Sequence, residues 1–223
     1  MIPWDPIWLT LKLAGLTTMI LLVVAMPIAW WLANTRARIR PAIEALTALP
    51  LVLPPTVLGF YLLILMSPES TLGSAWVRLT GEALTFSFSG LVIASIFYSL
   101  PFAVQPLQTA FHSVGSGLME ASATLGASRW DAFRSIALPL SRRGVLTAAV
   151  LSFAHTMGEF GVVLMVGGNI PGRTRVISIE IYSSVETLDY RTAHLLSGGL
   201  LVFSFVVLSI VYLMNQRGMR TGA

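Results

Sequence analysis

The 223-residue chain has no cysteine, a single lysine and few charges of either sign: 11% of its residues are charged and 55% are hydrophobic. The missing cysteine excludes disulfides and thiolate metal sites, and it leaves the redox compartment unread. So little polar surface cannot solvate a globule of this length, whereas a bilayer accepts it, and an all-α integral membrane protein of one domain, residues 1–223, is the expectation. Lys12 has no glycine-rich loop before it, so the phosphate-binding G-x-x-x-x-G-K-[ST] string cannot occur, and the chain does not hydrolyse ATP by that route. Neither H-E-x-x-H nor G-x-S-x-G is found, which counts against a membrane metalloprotease or serine hydrolase, and no residue is assigned a catalytic role. A net charge of +4 and a pI near 10.0 invite a nucleic-acid partner. The arginines, however, are dispersed at the ends of apolar runs, which suits membrane orientation and no nucleic-acid partner.

Apolar runs long enough to cross ~30 Å of hydrocarbon at about 1.5 Å per residue lie near 7–33, 46–66, 88–111, 145–167 and 193–214, or about five spans. The first is expected to be a retained helix rather than a cleaved signal: Asp5 precedes it, it is longer than a signal core, and basic residues follow it. Arg36, Arg38 and Arg40 follow the first span, Arg129, Arg134, Arg142 and Arg143 lie in the loop after the third, and Arg217 and Arg220 follow the last. With alternating spans all three groups share one side, opposite Arg78, Arg173, Arg175 and Arg191. Positive-inside bias therefore predicts a multi-pass protein of the cytoplasmic membrane with its N-terminus outside and its C-terminus in the cytoplasm.

Prolines punctuate the spans: Pro27 in the first, Pro50, Pro54 and Pro55 in the second, Pro101 and Pro106 in the third. Each removes a donor and frees a carbonyl. Many such sites are ordinary kinks, but Pro54-Pro55-Thr56 stands mid-span, where discontinuous backbone is a feature of transport pathways. Ser99, Gln105, Gln108, Thr109, Ser152 and Thr156 either face a wet interior or bond helix to helix. His155 and Glu159 stand four apart on one helical face. Two ligands without a third make a poor metal site, and no metal residue is assigned; the two pair with each other, or Glu159 joins Gly158 and Gly161 in a close helix crossing.

The joint between the third and fourth apolar runs is polar. Residues 120–139 read Glu-Ala-Ser-Ala-Thr-Leu-Gly-Ala-Ser-Arg-Trp-Asp-Ala-Phe-Arg-Ser-Ile-Ala-Leu-Pro. Leu118, Ala121 and Leu125 recur at helical spacing and Gly126 stands where helices end in a left-handed residue. Ser128 with Asp131 then caps a second helix that carries Trp130 and Phe133 and closes at Pro139. The spacing of Glu120, Ala121, Gly126, Ile136, Leu138 and Pro139 resembles the cytoplasmic loop of permease subunits of bacterial ABC importers, with Ser122 in place of the usual second alanine. Three further strings, Leu49 to Tyr61, Tyr98 to Gln108 and Gly158 to Gly172, are similar to the membrane subunit of molybdate ABC importers.

That resemblance implies the small type of ABC importer permease fold, with residues of about 113–144 as the coupling loop. It implies a homodimer, ATPase subunits gripping Glu120, Ala121, Ser122, Gly126, Trp130, Ile136, Leu138 and Pro139, and an external molybdate-binding protein delivering the ion. ATP and magnesium belong to the ATPase, and no cofactor to this chain. Permeases for tungstate or sulfate share much of the pattern. A membrane-embedded enzyme using His155 and Glu159 is the alternative from another class. A passive channel is the third, against which the docking joint argues.

For an oxyanion, a purely apolar path blocks passage and a fixed arginine binds too well to release. The expected path or gate is therefore neutral: Pro54, Pro55, Thr56, Gly59, Ser99, Gln105, Ser152 and Thr156, with Glu159 off the path or paired. The outer segments 68–87 and 168–192 are expected to receive the binding protein through Asn169, Arg173 and Arg175, with Ile177, Ile181 and Val185 as one face of a surface helix.

Overall fold

A computed structural model describes residues 3–220, and the side chains of all of these except 116 and 214–220, so the side chains of Arg217 and Arg220 lie outside the described set. The described elements are helical. They are α1 (Trp4–Asn34), α2 (Arg40–Ala48) with a short 3-10 turn (Leu49–Leu51), α3 (Pro55–Met66), α4 (Thr71–Thr80) and α5 (Phe88–Ser113). After these come α6 (Ser116–Thr124), α7 (Arg129–Ala132), a π-helical turn (Phe133–Ala137), α8 (Leu138–Leu140), α9 (Arg142–Met157), α10 (Gly161–Gly167), α11 (Ile177–Glu186) and α12 (Tyr190–Arg220).

Three of them, α1, α5 and α12 over Tyr190–Leu213, are unbroken and apolar enough to cross a membrane. The expected second span is discontinuous at its mid-span prolines, with α2 and its 3-10 turn bent by 108° from α3. The cause is the proline pair. A residue before proline is pushed out of the α region, and Pro54, which precedes Pro55, has φ −54° and ψ 135°. Met26, Leu100 and Gln105 also precede a proline but stay inside continuous helices, so a single proline is absorbed where the adjacent pair is not. The expected fourth span is interrupted as well, because α9 ends at Met157 and α10 begins at Gly161. The carbonyl that this break frees on Glu159 accepts a hydrogen bond from Ser178 Oγ at 2.5 Å.

The core is the mutual packing of α1, α5 and α9. Leu21, Ala25, Ala29 and Leu32 of α1 meet Ala103, Val104, Leu107 and Phe111 of α5 and Ala148 of α9, all buried. The alanines let the backbones approach closely, which drives helix association where lipid offers no hydrophobic force. Gly144 of α9 lies against Ala110 of α5, where a Cβ would overlap the alanine's own. A second crossing joins α3 to α10: a Cβ on Gly59 would stand 2.8 Å from Met165 Cβ, and one on Gly161 would stand 2.7 Å from Pro55 Cβ. Gly161 therefore fits the close crossing expected of it, whereas a Cβ on Gly158 would meet only His155 O at 3.9 Å, an ordinary contact.

Each end of the bundle gathers its own loops. At one end Trp30 of α1 packs edge-on to Phe111 of α5 (5.4 Å) and to Phe133 of the π turn (5.2 Å). The stretch carrying Arg36, Arg38 and Arg40 and the arginine-rich hairpin thus share one end. At the other, Ile177 N donates to Thr10 Oγ1 at 2.8 Å and Phe86 N to Val166 O at 2.9 Å. α11 is a helix as expected, but its face differs. Of the expected face Ile177 is buried, Ile181 half-buried and Val185 exposed, and Ile179 is buried as well, because α11 packs against both α1 and α12 and not as a single stripe on a flat surface.

Candidate functional site

The hairpin between α5 and α9 is built by local chemistry. Gly126 has φ +84°, where α6 has ended, and Ala127 N bonds back to Ser122 O at 3.0 Å. Ser128 then caps α7: Asp131 N donates to Ser128 Oγ at 3.2 Å, and Ser128 N donates to Asp131 Oδ2 at 3.3 Å, a reciprocal capping box. Both features match the sequence expectation. Closure at Pro139 does not. The helix continues through the proline as α8 to Leu140 and turns by 71° into α9 at Ser141. Pro139 lacks the N–H that would bond the carbonyl four residues back, and the preceding turn is π-helical, with Leu138 N bonding Phe133 O.

Trp130 stacks on Phe133 at 5.6 Å, and Phe133 is clamped by Trp30 and Phe111, so the hairpin is fixed to the bundle by aromatic packing. The sequence singled out Trp130 and Phe133 but not Trp30 or Phe111, which lie in apolar runs where aromatics are unremarkable. Leu125, 88% exposed, Trp130, 63% exposed, and Leu118 are open on the hairpin, as are Glu120, Ala121, Arg129 and Pro139. Ser122 is buried and donates to Met119 O at 2.8 Å, and Ile136 and Leu138 are half-buried. The hairpin is thus a joint with Leu125 open beside it, Glu120 and Arg129 lining a cleft with Trp30 and Asn34 of α1, and Trp130 lining another with Val23, Met26 and Pro27, a cleft-flanked surface suited to a second protein.

The residues expected along a path divide into two sets. Ser99, Ser152 and Thr156 are buried in the α5–α9 crossing: Ser99 Oγ lies 3.0 Å from Thr156 Oγ1, which donates to Ser152 O at 2.9 Å. Pro54, Thr56 and Gln105 are exposed, Pro55 is half-buried, and Gly59 is sealed against α10. Around the proline break, Leu51, Val52, Val57, Phe60 and Tyr61 form an exposed apolar face.

His155 and Glu159 do not pair. The His155 ring stacks on Phe102 at 3.9 Å between centroids, and its Nδ1 lies 2.9 Å from Ser99 Oγ. Glu159 is 3% exposed, and neither carboxylate oxygen has a hydrogen-bond partner among the described residues. The four-residue spacing does not unite them because α9 ends between them. Among the described residues no three metal-ligating side chains cluster.

At the opposite end, Arg175 Nε donates to Asn169 Oδ1 at 2.5 Å and its Nη1 lies 3.4 Å from Glu180 Oε2, while Asn169 Nδ2 donates to Ser183 Oγ at 2.8 Å. Arg173 reaches Glu82 at 3.8 Å, both well exposed. Asn169 and Arg175 are thus tied into the loop, and Arg173 is the looser of the two arginines.

Residues 25–220 match the family described as binding-protein-dependent transport system inner membrane component. The chain is 57% identical over 204 residues to the molybdenum transport system permease protein ModB of Azotobacter vinelandii, covering 92% of this chain and 90% of that one. It is 32% identical over 195 residues to the sulfate transport system permease protein CysT of Escherichia coli strain K12, covering 87% and 70% respectively. Among solved structures, a bacterial ABC transporter involved in the import of the acidic polysaccharide alginate superposes with a TM-score of 0.70 at 19% identity, covering 97% of this chain and 78% of that one. At that identity the likeness speaks to the fold.

Proposed function

The chain belongs to the family of binding-protein-dependent transport system inner membrane components, and from that premise we propose that it is the permease subunit through which an ABC importer carries molybdate into the cell. The observation that carries the choice of ion is the 57% identity to a molybdenum permease against 32% to a sulfate permease over comparable lengths. Two copies pair across the exposed apolar face around the proline break, which a lone chain leaves uncovered. An ATPase subunit docks on each hairpin, with Leu125 and Trp130 in its hollows and Glu120 and Arg129 at their rims; ATP and magnesium are held there. The hairpin end is cytoplasmic, and an external molybdate-binding protein seats on the end carrying Asn169, Arg173 and Arg175. Tungstate or sulfate is the alternative cargo.

The ion passes between the two copies. Thr56 and Gln105, the exposed members of the expected donor set, offer it hydroxyl and amide hydrogens without a fixed charge. Ser99 and Thr156 act one layer behind, bonding α5 to α9 so that the wall keeps its shape, and Ser152 holds Thr156 in place through its carbonyl. Hinging at the proline break lets α3 move with α10, to which it is packed through Gly59 and Gly161. Rotation of the hairpin as the ATPases close reaches α9 directly and α1 through Trp30.

Reconstitution of the chain in vesicles with its ATPase and binding protein tests this reading. Uptake of molybdate driven by ATP, competed by tungstate and little by sulfate, is expected. Uptake of sulfate in preference to molybdate overturns the choice of ion, and no ATP-dependent uptake of any oxyanion overturns the function.

A further inference from the structure

Gln105, Gln108, Thr109 and His112 recur along α5 at intervals of three, four and seven residues from the first, which sets them on one face of the helix. With Arg40, at the start of α2, they line a groove at the hairpin end of the bundle. Every one of the five carries an N–H or O–H donor. The adjoining carboxylate is Glu44, whose Oε1 accepts from Arg40 Nε at 3.0 Å and from Gln108 Nε2 at 2.7 Å. A guanidinium has several further N–H groups, and the terminal nitrogens of Arg40 have no acceptor in the side-chain bonds of the described residues. A polar stripe at the hairpin end of this helix, with a cation at its mouth already half-neutralised, is a poor lipid-facing surface and a good transient anion cradle.

We propose that this groove is a weak landing site for a divalent tetrahedral oxyanion on the hairpin side of the membrane, where the cargo pauses after leaving the path. The inference rests on the reading of the chain as an oxyanion permease and adds a place and donors for release. Glu44 sets the strength. By sharing Arg40 it keeps the guanidinium from gripping the ion, as release requires moderate affinity at several donors and not one tight site. Gln105 at the far end of the stripe belongs to the proposed path, so the groove continues the path and is not a separate pocket.

The absence of cysteine makes the test direct, because Thr109→Cys places the only thiol of the chain inside the groove. The full-length variant in phosphatidylcholine nanodiscs is alkylated with neutral N-ethylmaleimide while molybdate, tungstate or sulfate is titrated against chloride at equal ionic strength. The oxyanions are expected to slow alkylation and chloride is not. Arg40→Gln, which removes a charge-assisted hydrogen bond, raises the half-protecting concentration about tenfold or more. Glu44→Gln, which frees Arg40, lowers it several-fold. Opposite shifts from two neighbouring variants do not arise from misfolding. No protection by any oxyanion, equal protection in the Arg40→Gln variant, or protection by phosphatidylglycerol in place of phosphatidylcholine with no oxyanion effect would overturn the proposal, the last by assigning the groove to an anionic lipid headgroup. Molybdate uptake by the reconstituted wild type without groove protection refutes this inference alone. Protection without any uptake refutes the proposed function and leaves the anion site standing.

Discussion

At the scale of single residues, the backbone angle of Gly126 is the sharpest constraint. Its φ of +84° is costly for any residue with a Cβ, on the order of 1–2 kcal/mol, and more for a β-branched one, although a Cβ there meets no neighbour. Gly126→Val is therefore expected to misaim the hairpin without unfolding the spans: ATP-driven uptake falls while helical content by circular dichroism is kept, and normal uptake would contradict the coupling role. Thr56 is exposed beside the proline break, so its replacement reads out on transport and not on folding. Thr56→Val removes one donor at nearly constant volume and should slow uptake modestly. Thr56→Asp adds a charge that repels the cargo and should abolish uptake while ATP hydrolysis continues; unimpaired uptake by the aspartate variant would remove Thr56 from the path. Both residues were legible in the sequence because each sits in a punctuated string. Glu44 was not, since its bonds to Arg40 and Gln108 join residues as far as 64 positions apart.

At the scale of elements, the α3–α10 crossing depends on two absent side chains. Gly59→Leu forces a branched chain to a point 2.8 Å from Met165 Cβ, and overpacking of this kind costs about 1–3 kcal/mol. A lower thermal midpoint in detergent is expected, whereas Gly158→Ala, whose Cβ would stand 3.9 Å from His155 O in ordinary contact, should leave it unchanged. The hairpin was readable because its signals are local: a glycine stop, a serine cap and a proline fall within a few residues of the bonds they make. The π turn was not, as it depends on how Pro139 is accommodated when α8 continues into the bend at Ser141. The pairing expected of His155 and Glu159 failed for a related reason. Four-residue spacing holds only along an unbroken helix, and α9 ends at Met157.

At the scale of the whole molecule, the two ends of the bundle are chemically distinct, and each is proposed to meet a different protein. Arg173 and Glu82 are exposed and 3.8 Å apart, so their pair contributes at most about 1 kcal/mol to stability. Arg173→Glu should accordingly leave the fold intact and weaken the binding protein's affinity, with a loss of its salt dependence. Unchanged affinity and salt dependence would mark the residue as part of a solvated loop. Arg175 is a poorer choice for that test, because its bonds to Asn169 and Glu180 hold the loop's shape.

By itself the sequence determined the membrane class, the positions of the apolar runs, the break at the proline pair and the capped hairpin, because hydropathy, missing donors and caps act over a few residues. Only the tertiary structure decided which polar side chains stay open. Ser99 and Thr156 disappear into the α5–α9 crossing while Thr56, Gln105 and His112 remain exposed, although all five are polar residues in or beside apolar segments. Burial is a property of the neighbours and not of the residue. Here the neighbours are set by which helices approach through alanine and glycine, a choice made between segments far apart in the chain.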